Sequence, residues 1–222
     1  MKTVLYIVRH TQTVGNIEKR LTGRHDYEIT EEGKKYIKKM EEALQNIKFE
    51  SAYSSTSGRT IKTIQNLANR NGIKIKQLEE LCEMDFGIYD GMKWEDLNKI
   101  NPEIHKMHIK TNEIMGIPNQ ETTQEVIKRM NKIMLKIANE NLGKTVLVCS
   151  HGVAIEAFLR SITRVPFVKE RNKYSQINTS LNIVSFDSDI QKFSLEKLND
   201  LSHLKKEKKY ETRFNFSNST CI

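Results

Sequence analysis

Long apolar stretches are missing from this sequence. No window of its 222 residues approaches the roughly 18 consecutive apolar residues that a membrane-spanning helix needs. The apolar run at the amino terminus is typical of a core strand that starts at Thr3, so we predict no secretory signal. The length suits one well-packed domain and is short for two. We therefore expect a single domain in the cytoplasm, without a membrane contact.

Cysteine is also scarce. The chain has three cysteines, an odd number, and no two of them have the C-x-x-C spacing of zinc and redox sites. Cys221 lies one position too close to the end of the sequence for a prenylation motif. Cys82 and Cys149 stand in apolar surroundings. We predict that these two are ordinary buried thiols.

The basic residues lack the clustering of a nucleic-acid-binding surface. Lys and Arg number 36 against 28 Asp and Glu, a net charge of +8, but the lysines are spread along predicted helices without interleaved aromatic residues. Solvated helix faces explain this pattern most simply, and the alternatives are anionic small molecules or a weak polyanion contact. The run at 205–209 lies in a polar tail, 205–222, that we predict to be flexible.

Two apolar, β-branched runs each end on a histidine. The first runs from Lys2 to His10 and the second from Lys144 to His151. Continuous apolar runs of this length are typical of strands buried on both faces of a parallel sheet. Ligands of open α/β sheets bind beyond the carboxyl ends of such strands. If the two strands are neighbours, His10 and His151 meet in one crevice with Arg9, a set that favours phosphoryl chemistry.

Strands alternate with helices along the chain, which predicts an α/β fold. We expect a three-layer α/β/α sandwich with a mostly parallel central sheet, in one domain over 1–204. A small lid insertion is expected at about 84–121, where periodicity is weakest. The other predicted elements are strands at 51–53 and 74–77, helices that begin after Thr30 and Ser57, helices at 94–100, 122–141 and 153–162, and a hairpin of 181–186 with 192–195.

Five blocks of residues follow one another in a fixed order. They are Arg9-His10-Thr11-Gln12-Thr13-Val14-Gly15-Asn16; Arg20-Leu21-Thr22-Gly23 with Asp26, Thr30 and Gly33; Ser55-Thr56-Ser57-Gly58-Arg59-Thr60-Ile61-Lys62-Thr63; Leu81-Cys82-Glu83 with Phe86-Gly87-Ile88-Tyr89-Asp90-Gly91; and Ser150-His151-Gly152. In order and spacing they resemble the motifs of the histidine phosphatase superfamily, also called phosphoglycerate mutase-like, over about 3–204. The fourth block resembles the broad-specificity phosphatase branch of that superfamily.

The resemblance implies a catalytic set and a phosphate-binding set. His10, Glu83 and His151 are the implied catalytic residues, with a phosphohistidine intermediate on His10. The implied phosphate-binding residues are Arg9, Asn16, Thr22, Gly23, Arg59 and Gly152.

Elementary chemistry supports these roles. His10 can attack only as neutral imidazole, and an ordinary pKa of about 6.5, held down by arginines, provides that form. The planar forks of Arg9 and Arg59 fit phosphoryl oxygens in pairs. We expect His151 to add an imidazole N–H, and the helix that opens at Gly152 to add backbone N–H groups.

Glu83 is the predicted proton donor to the leaving oxygen. The arginines favour its ionised form, whereas partial burial and an arriving phosphate dianion favour the protonated form, which should prevail when substrate is bound. Glu79, Glu80 and Asp85 lie close by and are alternatives for this role. Acidic residues do not cluster near either histidine in the sequence, so we expect no metal and no other cofactor.

Two positions depart from the family pattern. Thr11 stands where the family usually has glycine, and because a β-branched residue does not tolerate a positive φ, we expect an ordinary negative φ there. The segment Pro118-Asn119-Gln120-Glu121-Thr122 also differs from the family's sequence at the base of the lid, which leaves specificity open.

Three functions remain after this reasoning. The favoured one is a metal-independent phosphomonoester hydrolase acting on a small phosphorylated metabolite, because no arginine occurs between Arg70 and Arg129 to grip a carboxylated mutase substrate. The alternatives are a 2,3-bisphosphoglycerate-dependent phosphoglycerate mutase and a non-catalytic phosphate- or protein-binding module. The sequence does not fix the natural substrate or distinguish a monomer from a homodimer. Residues expected to select the substrate are Arg24, Tyr89, Lys93, Trp94 and Lys106, with His25 and His105 at the mouth of the site.

Overall fold

The computed structural model describes residues 1–111 and 113–204; the predicted tail at 205–222 lies outside the described residues. Six strands form one sheet: β1 (Lys2–Arg9), β2 (Ser51–Ser54), β3 (Ile75–Gln77), β4 (Thr145–Ser150), β5 (Leu181–Asp187) and β6 (Lys192–Asp200). Their order is β3-β2-β4-β1-β5-β6. The first four in this order run parallel, and β5 and β6 are antiparallel additions at one edge.

Eight α-helices connect these strands in the described part of the chain. They are α1 (Val14–Ile17), α2 (Glu31–Ala43), α3 (Gly58–Arg70), α4 (Trp94–Ile100), α5 (Pro102–Thr111), α6 (Thr123–Glu140), α7 (Gly152–Thr163) and α8 (Arg171–Tyr174). Short 3-10 turns occur at Glu79–Leu81, Gly87–Tyr89 and Ser202–Leu204. Within the described ranges, no helix is both long and apolar enough to cross a membrane.

The sheet is buried on both faces, which confirms the three-layer α/β/α prediction. On one face Val8, Leu147 and Cys149 pack with apolar residues of α2 and α3. On the other face Ile7 and Val148 pack with apolar residues of α6 and α7. Because alternate residues of a strand point to opposite faces, strands covered on both sides are apolar at nearly every position. This is why β1 and β4 appear in the sequence as unbroken apolar runs.

Local capping signals place the helix starts correctly. The Thr30 hydroxyl accepts a hydrogen bond from the Gly33 N–H at the start of α2. Thr122 and Glu125 form a reciprocal capping box at the start of α6. The predicted helix at 94–100 and the predicted hairpin are also confirmed. The sequence did not predict the four-residue helices α1 and α8, because so few residues show no periodicity.

The segment at 84–121 packs back onto the start of the chain. Its ends meet where the Glu121 N–H donates to the Asp85 carbonyl and the Ile88 N–H donates to the Pro118 carbonyl. Its middle pairs with the loop after α1, because the Gly91 N–H donates to the Leu21 carbonyl. This segment therefore lies beside the loop that contains Thr22 and Gly23.

Candidate active site

The two histidines lie together at the carboxyl ends of neighbouring strands. β1 and β4 are parallel with Arg9 opposite Ser150, and the His10 N–H donates to the Ser150 carbonyl. The imidazole rings of His10 and His151 meet edge to face, with 5.3 Å between their centroids. The two histidine-tipped strands are therefore neighbours, and their histidines meet as expected for that case.

The His10 ring is held in one tautomer. Its Nδ1 lies 2.7 Å from the Thr11 carbonyl oxygen, which can only accept, so Nδ1 carries the hydrogen. The lone pair of the neutral ring is therefore on Nε2. The side chain is buried, and this desolvation, followed by the charges of Arg59 and Arg9, holds the pKa of His10 well below its ordinary value. His10 is thus an uncharged imidazole at neutral pH.

Both ring nitrogens of His151 are engaged by protein groups. The Arg59 guanidinium donates to Nδ1 at 3.0 Å, so the hydrogen lies on Nε2, which is 2.8 Å from the Ser55 hydroxyl oxygen. Burial, then the Arg59 charge, lowers the pKa of His151 well below its ordinary value. This differs from the expectation that the imidazole N–H faces a phosphate, because Ser55 occupies that N–H.

Arg59 is buried at the centre of the site. Its terminal nitrogens donate to the carbonyls of His25 and Gly23, to His151 and to the Asp26 carboxylate. Its Nε atom is buried and has no hydrogen-bond partner within 1–111 and 113–204. The side chain extends from the first turn of α3, where a Cβ on the neighbouring Gly58 would come within 2.7 Å of Asp26.

The side chains of Arg9 and Asn16, near His10, are held by hydrogen bonds to residues of the loop that precedes β5. The Gln176 carbonyl accepts from Arg9 at 2.6 Å. The Asn178 side-chain amide donates to the carbonyls of His10 and Thr11 and to Asn16 Oδ1. Since Oδ1 of Asn16 also accepts from Thr13, the Asn16 amide group is turned so that its NH₂ is the end left to face a ligand.

Asp90 organises the loop that contains Thr22 and Gly23. Its carboxylate accepts the backbone N–H groups of Gly23, Arg24 and His25. A Cβ at Gly23 would lie 2.5 Å from the Met84 carbonyl, so only glycine fits this close approach. The Gly23 carbonyl oxygen accepts a hydrogen bond from NH2 of Arg59.

Glu83 lies against the first turn of α7. Its Oε1 accepts the N–H groups of Met84 and Ala154, and its Oε2 accepts the Val153 N–H at 3.0 Å. The carboxylate therefore satisfies two of the otherwise unpaired donors at the start of this helix. The expectation that these N–H groups reach a phosphate is wrong for Val153 and Ala154, because Glu83 already binds them. Gly152 keeps its predicted place as the first residue of α7.

Thr11 causes no distortion at the turn after His10. It is absent from the described residues with positive φ, which confirms the expected backbone conformation. Its hydroxyl donates to the Gly33 carbonyl at 2.8 Å, so the extra side chain joins this turn to α2. Cys82 and Cys149 are buried free thiols, as predicted, whereas Cys221 lies outside the described residues.

Of the residues expected to select the substrate, Trp94 is mainly a packing residue. It is 4% exposed within the apolar core, and the rings of His105 and His108 pack edge-on against it. His25 is exposed and hydrogen-bonded to Asp90, and Arg24 forms an ion pair with Glu79 at 3.4 Å. Across the described ranges, no group of three His, Cys, Asp or Glu side chains is arranged to hold a metal ion.

Sequence reasoning missed two residues of the site. Asn178 lies outside all five sequence blocks, and Arg129 enters the sequence analysis only as the next arginine after Arg70. Asn178 binds carbonyls 167 and 168 residues away in the sequence, and Arg129 binds carbonyls 46 to 49 residues away. Such contacts leave no spacing pattern in a single sequence.

Comparison with known proteins agrees with this geometry. Phosphoglycerate mutase-like protein 4 of Arabidopsis thaliana is 27% identical over 204 residues, covering 90% of this chain and 86% of that protein. The solved structure of Bacillus stearothermophilus YhfR has a TM-score of 0.84 and 25% identity, over 90% of this chain and 98% of that one. An Entamoeba histolytica phosphoserine phosphatase in complex with 3-phosphoglyceric acid has a TM-score of 0.77 and 23% identity, over 91% and 99% of the two chains, which shows a shared fold.

The family assignment follows from a match along nearly the whole described chain. Residues 5–201 match the profile of the histidine phosphatase superfamily, branch 1. This range contains His10 and His151 at the ends of their strands, the Arg59 helix and the Glu83 loop. The chain belongs to the histidine phosphatase superfamily.

Proposed function

We propose that this protein is a metal-independent phosphomonoester hydrolase that acts on small phosphorylated metabolites through a phosphohistidine on His10. The observation that carries the proposal is the His10 ring itself, which is anchored through Nδ1 and has the Nε2 lone pair available. Its lowered pKa keeps that lone pair unprotonated at neutral pH. A nucleophile prepared in this way is what covalent phosphoryl transfer needs.

In the first step, Nε2 attacks the phosphorus atom of the substrate. The bond from phosphorus to the leaving oxygen breaks, and its electron pair goes to that oxygen, which takes a proton from Glu83. In the second step, water attacks the phosphohistidine and gives its proton to the Glu83 carboxylate. The electron pair of the N–P bond returns to Nε2, and inorganic phosphate leaves.

The hydrogen bonds of Glu83 indicate which oxygen handles the proton. Each carboxylate oxygen has two lone pairs. Oε1 uses both for the N–H groups of Met84 and Ala154, whereas Oε2 uses one for the Val153 N–H. We therefore assign the transferred proton to Oε2.

Fixed positive charge stabilises the transferring group. Arg9 and Arg59 are both buried next to His10, where a guanidinium acts on developing charge more strongly than it would in water. The Arg59 Nε–H is the donor of that guanidinium without a partner in the described residues, and we assign it to a phosphoryl oxygen. His151 contributes by holding Arg59 through Nδ1, and Asn16 offers its NH₂ group.

A phosphoglycerate mutase is the second candidate. It is favoured by the mutase-like name of the Arabidopsis relative. Against it stands the absence of arginine from 71 to 128, the range that includes the whole 84–121 segment. A mutase also has to shield its phosphohistidine from water between two transfers, which a hydrolase does not.

The test is a panel of phosphomonoesters assayed with EDTA present. The panel contains alkyl and sugar phosphates, phosphoserine, and 3-phosphoglycerate with and without its bisphosphate primer. We expect release of inorganic phosphate that EDTA does not diminish and that His10→Ala abolishes. Isomerisation of 3-phosphoglycerate faster than its hydrolysis would support the mutase instead, and phosphate binding without turnover would support a non-catalytic module.

A further inference from the structure

The segment that contains Glu83 has little regular structure of its own. It follows the 3-10 turn at Glu79–Leu81 and lies between β3 and the 84–121 segment. Backbone carbonyls outside helices and sheets need other partners when they are shielded from water. Four consecutive carbonyls, from Glu80 to Glu83, all accept hydrogen bonds from side chains.

Arg129 of α6 supplies three of these four bonds. Its NH1 donates to the carbonyls of Glu80 at 2.9 Å and Cys82 at 2.7 Å, and its NH2 donates to the Glu83 carbonyl at 3.1 Å. The fourth carbonyl, of Leu81, accepts from the Ser150 hydroxyl at the end of β4. The main chain around the predicted acid Glu83 is thus hydrogen-bonded to side chains of α6 and β4.

Glu121 fixes the guanidinium of Arg129. Its carboxylate accepts from Nε at 2.6 Å and from NH2 at 2.8 Å, a bidentate pair with both side chains about 85% buried. Its Oε2 also accepts the Asp85 N–H at 3.3 Å. Glu121 directly precedes the capping box of α6, so the ion pair of Glu121 with Arg129 lies at the capped start of a long helix.

We infer that Arg129, held by Glu121, is the positioning residue for the proton donor Glu83. This inference rests on the proposed function, because it needs Glu83 to act as the acid. Arg129 touches the main chain of Glu83 and not the reacting atoms. All five of its N–H donors are used, so a lysine, with one nitrogen and no planar fork, cannot replace it. A displacement of about 1 Å at a catalytic group can cost about 10²-fold in rate.

The test compares substrates whose leaving groups differ in their need for a proton. Alkyl phosphates need protonation of the leaving oxygen, whereas p-nitrophenyl phosphate needs it much less. For Arg129→Lys we expect kcat/KM on an alkyl phosphate to fall about 10- to 100-fold and kcat/KM on p-nitrophenyl phosphate to fall only a few fold, because kcat/KM reports phosphoryl transfer to His10 and excludes the second step, which both substrates share. Glu121→Gln keeps one acceptor oxygen and should show a smaller loss with the same substrate dependence.

Arg160→Lys is the matched control. Arg160 also forms a buried ion pair, with Glu156 at 2.8 Å, and also donates to two backbone carbonyls, of Pro166 and Lys169, but these lie away from the Glu83 segment. We expect it to lower stability without changing the ratio of the two substrates' kcat/KM values.

Glu83→Gln separates the possible failures. If Glu83→Gln shows the leaving-group dependence and the folded Arg129→Lys and Arg129→Ala proteins do not, the positioning role is wrong and the proposed function stands. If Glu83→Gln lowers kcat/KM equally on both substrates, the assignment of the acid is wrong, and the inference about Arg129 is wrong with it.

Discussion

At the scale of single residues, Glu83 has two chemically different oxygens. Oε1 has no lone pair to spare, whereas Oε2 keeps one beside the site. The same bonds attach the carboxylate to the first turn of α7, the helix that follows His151. A side chain held in this way has a fixed position relative to the histidine pair, as the proposed proton donor needs.

Replacing Glu83 by glutamine should expose its role as the acid. We expect kcat/KM on alkyl phosphates to fall by about 10²- to 10⁴-fold and kcat/KM on p-nitrophenyl phosphate to fall much less, because glutamine has no acidic proton to give and kcat/KM excludes the second step, which both substrates share. The measurement is steady-state kinetics on both substrates. Glu79→Gln and Asp85→Asn are the controls, since these carboxylates were the alternatives and should leave the ratio unchanged. A larger leaving-group dependence in either control variant would mean that Glu83 is not the proton donor.

The sequence predicted which residues lie in the candidate site better than it predicted the hydrogen bonds between them. The motif residues Arg9, Arg59 and His151 do lie around His10. What the pattern could not show is that His151 binds Arg59 and Ser55, or that Glu83 occupies the N–H groups of α7. These bonds depend on atom-level orientation after the chain has folded, which residue spacing does not encode.

At the scale of secondary structure, α6 supports the active site. It begins with the Thr122–Glu125 capping box, carries Arg129 two turns later and packs against α7 and the sheet. Its amphipathic stripe of buried residues made its length predictable from the sequence. The helices of the 84–121 segment were harder to predict, because short elements joined by glycine and proline lack that stripe.

Thr122→Ala should destabilise the protein through the start of α6. Loss of the cap leaves the Glu125 N–H without its hydroxyl acceptor, and we expect the free energy of unfolding to fall by about 1 kcal/mol. Urea unfolding followed by circular dichroism measures this. Gln124→Ala, at an exposed position two residues on, should change stability by less than about 0.5 kcal/mol. Equal effects of the two substitutions would show that the capping box is unimportant.

At the scale of the whole molecule, two buried histidines of the candidate active site are expected to make folding sensitive to acid. His10 and His151 are fully buried and uncharged in the native state, and both pKa values are well below the ordinary value. In the unfolded chain the same histidines take up protons below about pH 6.5. The unfolded state then binds more protons than the native state, so stability falls as the pH falls.

We expect the free energy of unfolding to be insensitive to these two histidines above about pH 6.5. Below it, each histidine should lower the free energy of unfolding by up to about 1.4 kcal/mol per pH unit, and the pair by up to about 2.8 kcal/mol per pH unit. Urea unfolding at intervals from pH 7.5 to 5, without phosphate, measures the slope. The double substitution His10→Gln with His151→Gln should flatten it. An unchanged slope in the double variant would mean that other groups cause the acid sensitivity.

The overall architecture was predictable because it follows from periodicity. Two apolar runs of strand length, each ending on a histidine, predicted buried parallel strands whose histidines would meet if the strands were neighbours, and β1 and β4 are neighbours. The antiparallel edge of β5 and β6 was predicted only as a hairpin, since the sequence does not say which strand a hairpin joins. The side of the sheet that receives each helix likewise depends on packing rather than on any local signal.

The central claim is that His10 accepts the phosphoryl group, and trapping that intermediate tests it most directly. Protein mixed with a ³²P-labelled phosphomonoester is quenched in alkali within milliseconds, digested, and its labelled peptide identified. The account predicts an acid-labile, alkali-stable label on His10 that forms and decays as fast as turnover, and its absence from a catalytically dead His10→Ala protein. Turnover without such a label, a label on another residue, or activity that survives His10→Ala would contradict it.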